Sequence, residues 1–286
     1  MKSGVLLVAA LALGVAAAPA PKASVKAARP FFPGEPVELK TVDGWVLKAM
    51  FAPSAPGKMT LLLLHGTGQR KEDWKRLAFA LTRAGYGVMA VDLRGHGESR
   101  VSPSGEEMTW KKLRATPAAN DFTDMSRDAE AAVAWLTGQG VPEDSIGLIG
   151  SEVGGSIAIR FAATHQKVPL VVMLSPGMRW QEVLTPNALR ALKRQIPTPV
   201  LMVYSEADKR SSKEGPILHS IAKLAVGGNH ATLIVVPQER GTRMFKAQRS
   251  LVDQVIDWLG NPIAPDVPAV STEPLMGGTT TDDSDD

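Results

Sequence analysis

The stretch "IGLIGSEVGGS", Ile146 to Ser156, decides how the rest of the chain is read. Its apolar half has the look of a strand buried on both faces. Its small residues suit a tight passage into a helix. A strand that turns sharply into a helix is a common way of presenting a reactive side chain. Such a turn closes only if the residues two places either side of its apex are small, because branched side chains there would clash. Gly150 and Gly154 meet that condition for an apex at Glu152. An apex at Ser151 would be flanked by Ile149 and Val153, so the serine is the weaker candidate.

Outward from this stretch, apolar runs alternate with amphipathic segments. "PVELKTVDGWVLKAMFAP" reads as a hairpin turning at Asp43-Gly44. "TLLLLHG", "GVMAVDLRG", "SIGLIGS", "PLVVMLS", "PVLMVYS" and "ATLIVVP" read as strands. "EDWKRLAFALTRAGY" and "FTDMSRDAEAAVAWL" read as helices, the second with Met125, Ala129, Ala132, Val133 and Leu136 on one face. A closing helix carries Val252, Val255, Ile256 and Leu259 and stops at Gly260 before Pro262. Alternation of this kind predicts a mostly parallel central sheet with helices on both faces. The chemistry is then expected in the loops beyond the carboxyl ends of the strands.

The flanks divide the chain. Lys2 followed by the apolar run Gly4 to Ala18 has the build of a signal peptide, assigned to residues 1–20 and cut after Ala17. An uncut N-terminal membrane anchor is the alternative. Residues 21–35, rich in proline and alanine, read as a linker, and 36–261 as the folded domain. Residues 262–286 hold six acidic residues, no basic ones and four prolines, the composition of a disordered acidic tail. The expected location is therefore periplasmic or extracellular, with no membrane span left after cleavage.

A formal charge of +3 with scattered basic residues and no basic, aromatic-studded stripe argues against nucleic acid as a partner. With no cysteine, disulfides and thiol catalysis are excluded. No His/Asp/Glu cluster has metal-ligand spacing, and no cofactor is implied.

In its motifs the chain resembles the α/β-hydrolase superfamily over nearly the whole folded region. "HGTGQ" at 65–69 is similar to the oxyanion loop, and "DLRGHGES" at 92–99 to a stretch common among members. "GSEVGG" at 150–155 stands at the nucleophile elbow, "YSEAD" ends in Asp208 at the position of the triad acid, and "RGTRMF" at 240–245 is similar to the histidine loop. About two dozen residues between "VVMLS" and "PVLMVY" leave room for one short helix and no large cap. That similarity is to uncapped members, the dienelactone hydrolases and compact serine aminopeptidase or esterase relatives.

The resemblance implies a site in which the nucleophile position holds Glu152, the acid position Asp208 and the histidine position Arg240. Backbone N–H groups of Thr67 and Val153 would be the oxyanion donors. Haloalkane dehalogenases and epoxide hydrolases attack with an elbow carboxylate, but they need a histidine to activate water, and arginine stays protonated. The five histidines offer no substitute. His230 precedes the last strand at its amino end, more than about 20 Å from the catalytic edge at roughly 3.3 Å per residue. His65 and His96 belong to motif loops where a packing role is expected, and His165 and His219 lie near helix ends. The reading is therefore a Glu152–Arg240 ion pair in the space of a triad, open to extension by Asp208. The helix start and the arginine are both expected to favour the glutamate's charge. The function expected is that of a non-catalytic homologue binding a small-molecule or protein ligand. The alternative is an ester or peptide hydrolase using Ser151 or an unusual site.

Overall fold

A computed structural model describes residues 32–194 and 196–263; the residues read as a signal segment, most of those read as a linker and most of those read as an acidic tail lie outside them. The chain opens with strands β1 (Glu35–Lys40) and β2 (Val46–Ala52), then β3 (Thr60–Leu64), helix α1 (Lys75–Arg83) and β4 (Gly87–Val91). After a long excursion come α2 (Ser126–Gly138), β5 (Ile146–Ser151), α3 (Val153–Thr164) and β6 (Val171–Leu174). A small hairpin, β7 (Arg179–Trp180) and β8 (Val183–Leu184), leads into the five-residue α4 (Pro186–Arg190). The chain closes with β9 (Val200–Ser205), α5 (Ser211–Val226), β10 (Ala231–Val236), α6 (Met244–Ala247) and α7 (Ser250–Gly260).

The sheet order is β1-β2-β4-β3-β5-β6-β9-β10. β1 and β2 form the expected hairpin and run antiparallel, and β4 onward are parallel to one another. The architecture is the α/β-hydrolase fold without a large cap. Alternate residues of the central strands feed two cores. Leu62, Leu64, Met89 and Val91 pack under α2, α3, α4 and α5, while Leu61, Leu63, Val88 and Ala90 pack under α1, α6 and α7. Both faces of β3, β4 and β5 are buried, which is why these strands read as unbroken apolar runs rather than as alternating ones.

Two boundaries differ from the sequence reading. The linker expected to run through residue 35 ends sooner, because Phe32 is buried in the second core and β1 begins at Glu35. The longest helix, α5, is missing from that reading because Gly215-Pro216 interrupts its first turns. Gly215 is needed there: a side-chain carbon on it would sit 2.6 Å from Tyr204 Cδ1.

β3 lies between β4 and β5, so the chain leaves it first to one side and later returns on the other. At such a switch point two successive loops diverge and leave a crevice beyond the strand ends. The loops after β3 and β5 flank it.

Candidate functional site

The turn from β5 into α3 has Glu152 at its apex, with φ 52° and ψ −117°. That conformation favours glycine and costs a side-chain-bearing residue of order 1–3 kcal/mol, a strain typical of functional turns. The small-residue rule has a visible cause. A side-chain carbon on Gly150 would overlap the Gly154 carbonyl, and one on Gly154 would overlap the Leu64 carbonyl of the neighbouring strand. Ser151 is therefore not the apex. It ends β5 fully buried, its Oγ has no hydrogen-bond partner, and Gly241 is pressed so close that an added carbon there would lie 2.6 Å from that Oγ.

The Glu152 side chain is also buried. Its carboxylate points toward the β3 loop, where a carbon added to Gly66 would sit 2.6 Å from Oε2. Arg240 approaches from the loop after β10, its Nε 3.3 Å from Glu152 Oε1 and its side chain half exposed. The pair is ionic contact without a formed hydrogen bond, since Oε1 is buried and lacks a hydrogen-bond partner. Arg240 favours the glutamate's charge, as expected, and burial acts against it. Burial pushes the Glu152 carboxyl above its ordinary pKa; Arg240 opposes the shift, Asp208 adds to it, and Arg243 and Arg210 oppose it more weakly. Desolvation outweighs the attraction of the arginine.

Asp208 does not extend the pair. Its Oδ2 accepts a hydrogen bond from Ser211 Oγ (2.7 Å), and its Oδ1 accepts from the N–H groups of Arg210 (3.3 Å) and Ser211 (3.4 Å). The carboxylate thus ties down the start of α5. Ser205 links this turn to the Arg240 loop by accepting from the Asp208 N–H and donating to the Glu239 carbonyl. The Gly241 N–H donates to Ser175 Oγ at 2.8 Å. These bonds hold Arg240 against the elbow.

Of the two expected oxyanion donors, Val153 opens α3, so its N–H is among those a helix start leaves without an intrahelical acceptor. Thr67 lies in the turn closed by the Gln69 N–H donating to the Gly66 carbonyl, and its own Oγ1 is buried without a partner. Gln69 Oε1 accepts from the Gly66 N–H at 3.2 Å, while its Nε2 reaches toward both Gly66 and Gly241. Two neighbours were not singled out from sequence. The Trp110 ring edge covers Gly68, and Trp180 carries the Arg210 guanidinium 4.5 Å over its ring. Neither has a sequence signal, since both come from very short elements between the strands of the main sheet.

The histidines sit as packing groups. His65 Nδ1 bonds the Gly66 carbonyl and its Nε2 accepts from the Leu93 N–H, and burial lowers its pKa to about 4. His96 Nδ1 bonds the Arg94 carbonyl, with a pKa lowered to about 3, chiefly by burial. His165 stacks on Phe161, His219 bonds the Ala231 carbonyl, and His230 stands at the amino end of β10. The rest of "DLRGHGES" is structural too. Asp92 accepts from the Lys71 amide and ammonium, and Arg94 is clamped by buried Asp128 and by Asp43. Among the described residues there is no group of three or more His, Asp or Glu residues arranged to hold a metal.

Against known proteins, residues 55–213 match the model of the serine aminopeptidase S33 family. Protein phosphatase methylesterase 1 of Mus musculus is 30% identical over 132 residues, which span 46% of this chain and 30% of that protein. A 2-hydroxy-6-oxononadienedioate/2-hydroxy-6-oxononatrienedioate hydrolase of Burkholderia vietnamiensis is 25% identical over 53% of this chain and 48% of its own length. Among solved structures, an esterase of Pyrococcus furiosus superposes with a TM-score of 0.63 at 21% identity, covering 80% of this chain and 92% of that one. A dienelactone hydrolase of Anabaena variabilis gives 0.61 at 17% identity, over 80% and 97%. At these identities the superpositions speak for the fold.

Proposed function

The chain belongs to the serine aminopeptidase S33 family, and within it we propose that this protein binds a ligand without performing serine-hydrolase chemistry. One observation carries the reading: the strained apex of the elbow is Glu152, whose carboxylate lies against the oxyanion loop under Arg240. Acyl transfer in this geometry needs a nucleophile and a base able to take its proton. A buried carboxylate facing a permanently charged guanidinium supplies no such proton relay. Ser151, fully buried beneath Gly241, has no path to a substrate carbonyl. Arg240, Arg243 and Arg210 give the site a cationic side, which suits a small anionic ligand such as a carboxylate, in competition with Glu152. Export through residues 1–20 is part of the same reading.

The test is labelling with a serine-directed fluorophosphonate beside a chromogenic short-chain ester assay. Neither should give a signal above buffer. Labelling of the wild type that disappears in Ser151→Ala would overturn the proposal in favour of an active hydrolase. A double restoration, Glu152→Ser with Arg240→His, supplies a serine and a histidine at the two positions; esterase activity appearing only in that variant would agree with the reading.

A further inference from the structure

Helix α5 buries Ser211, Gly215, Leu218, Ala222 and Val226 along one side. Its opposite side is not the polar surface expected of an amphipathic helix. At 100° per residue, Lys213, Ile217, Ser220, Ile221 and Leu224 fall on one outward stripe. Ile217 is 52% exposed and Leu224 84% exposed. Packed beside this stripe is α4, and the two bound a cavity of about 200 Å³ lined by Arg190, Lys193, Ile221, Leu224 and Ala225. Leu184 and Ile196, which precede and follow the α4 segment, are 41% and 83% exposed.

The charges here are one-sided. From Val183 to Ser205 the chain has Arg190, Lys193 and Arg194 and no acidic residue. Arg190 bonds the Asn187 side chain rather than a carboxylate. α5 adds Lys213 and Lys223, and its one acid, Glu214, is engaged by the Met178 N–H. In a chain of formal charge +3 this is a local concentration of cations around exposed aliphatic side chains. We infer that the α4–α5 face docks on an anionic lipid surface, with Ile217 and Leu224 entering the acyl boundary and Arg190 and Lys193 meeting the headgroups. Aliphatic side chains flanked by cations with no acid between them are what interfacial binding requires, whereas a polar protein partner would be met by mixed charge and hydrogen-bonding groups. The inference does not depend on whether the Glu152 site is catalytic.

The chain's lack of cysteine allows a clean test on the full-length protein. Ser220→Cys, exposed at the centre of the stripe, carries an environment-sensitive fluorophore, and Gln254→Cys on α7, on the other side of the sheet, is the control. Vesicles of equal parts phosphatidylcholine and phosphatidylglycerol should shift the Ser220 probe to the blue and expose it to acyl-chain quenchers, leaving the Gln254 probe unchanged. Pure phosphatidylcholine should shift it little. Arg190→Gln with Lys193→Gln should lower the insertion constant about fivefold per cation, the ratio that about 1 kcal/mol per charge represents. Attachment through the N-terminal apolar segment alone would leave the Ser220 probe in water and overturn the inference. So would equal shifts at both positions, or no loss when the two cations are removed.

Discussion

Replacing Glu152 by glycine should make the protein more stable. The wild-type residue holds φ 52° with a side chain attached, a conformation that costs of order 1–3 kcal/mol and that glycine adopts freely. The substitution also removes a buried carboxylate oxygen that has no hydrogen bond, a defect worth about 1–3 kcal/mol. Two terms oppose these. The contact with half-exposed Arg240 is worth about 0–1 kcal/mol after solvent screening, and glycine loses about 0.5–1 kcal/mol of extra chain entropy on folding. The balance is a gain of about 2 kcal/mol, which for a domain of this size raises the melting temperature by about 4–8 °C. Thermal unfolding followed by circular dichroism at pH 7 measures it. Glu152→Ala separates the terms, since alanine deletes the carboxylate but keeps the strained side-chain carbon, so its gain should be smaller. A glycine variant melting at or below the wild type would refute both the strain and the buried-charge accounts.

The pKa shift of Glu152 has a sign that can be checked. Its folded-state value lies above the unfolded one, so the ionised form opposes folding, fully so above the folded pKa and not at all below the unfolded value. Glu152→Gln should therefore be stabilised relative to wild type at pH 7, with the difference vanishing by about pH 4; a constant difference across that range would contradict the assignment. His65 and His96 act the other way. Their folded pKa values near 4 and 3 lie below the unfolded value of about 6.5, so stability should fall as pH drops from about 6.5 toward 4. Imidazole resonances of these two that titrate between pH 5 and 8 would show the burial argument to be wrong. Gly154→Ala should cost about 3 kcal/mol and reduce soluble yield, because the Leu64 carbonyl on a packed strand cannot retreat. Gly138→Ala, at an α2 position with open space, should be neutral or stabilising by up to about 1 kcal/mol, and similar melting temperatures for the two would undo that distinction.

How much was legible in the chain depends on how local the deciding contact is. The parallel sheet could be read because a strand buried on both faces must be apolar at every position, as "TLLLL" is. The apex at Glu152 could be read because Gly150 and Gly154 stand in the chain itself two places either side of it, although the clash that keeps Gly154 small comes from Leu64 on the neighbouring strand. Helix α5 could not, since Gly215 exists for the sake of Tyr204, a residue on another element, and locally looks like a helix breaker. Trp110 and Trp180 had no periodicity to betray them.

Sequence by itself determined the order of the main sheet's strands, the register of the β5–α3 turn and the residue types at the expected site positions, because each rests on local pattern or on residue type. Tertiary structure alone decided what those residues do to one another. It set Arg240 against Glu152, turned Asp208 away to hold the start of α5, and sealed Ser151 beneath Gly241. It also raised the glutamate's pKa where charge counting along the chain predicts the opposite. Desolvation is a property of everything packed around a group, and no neighbourhood in the sequence contains it.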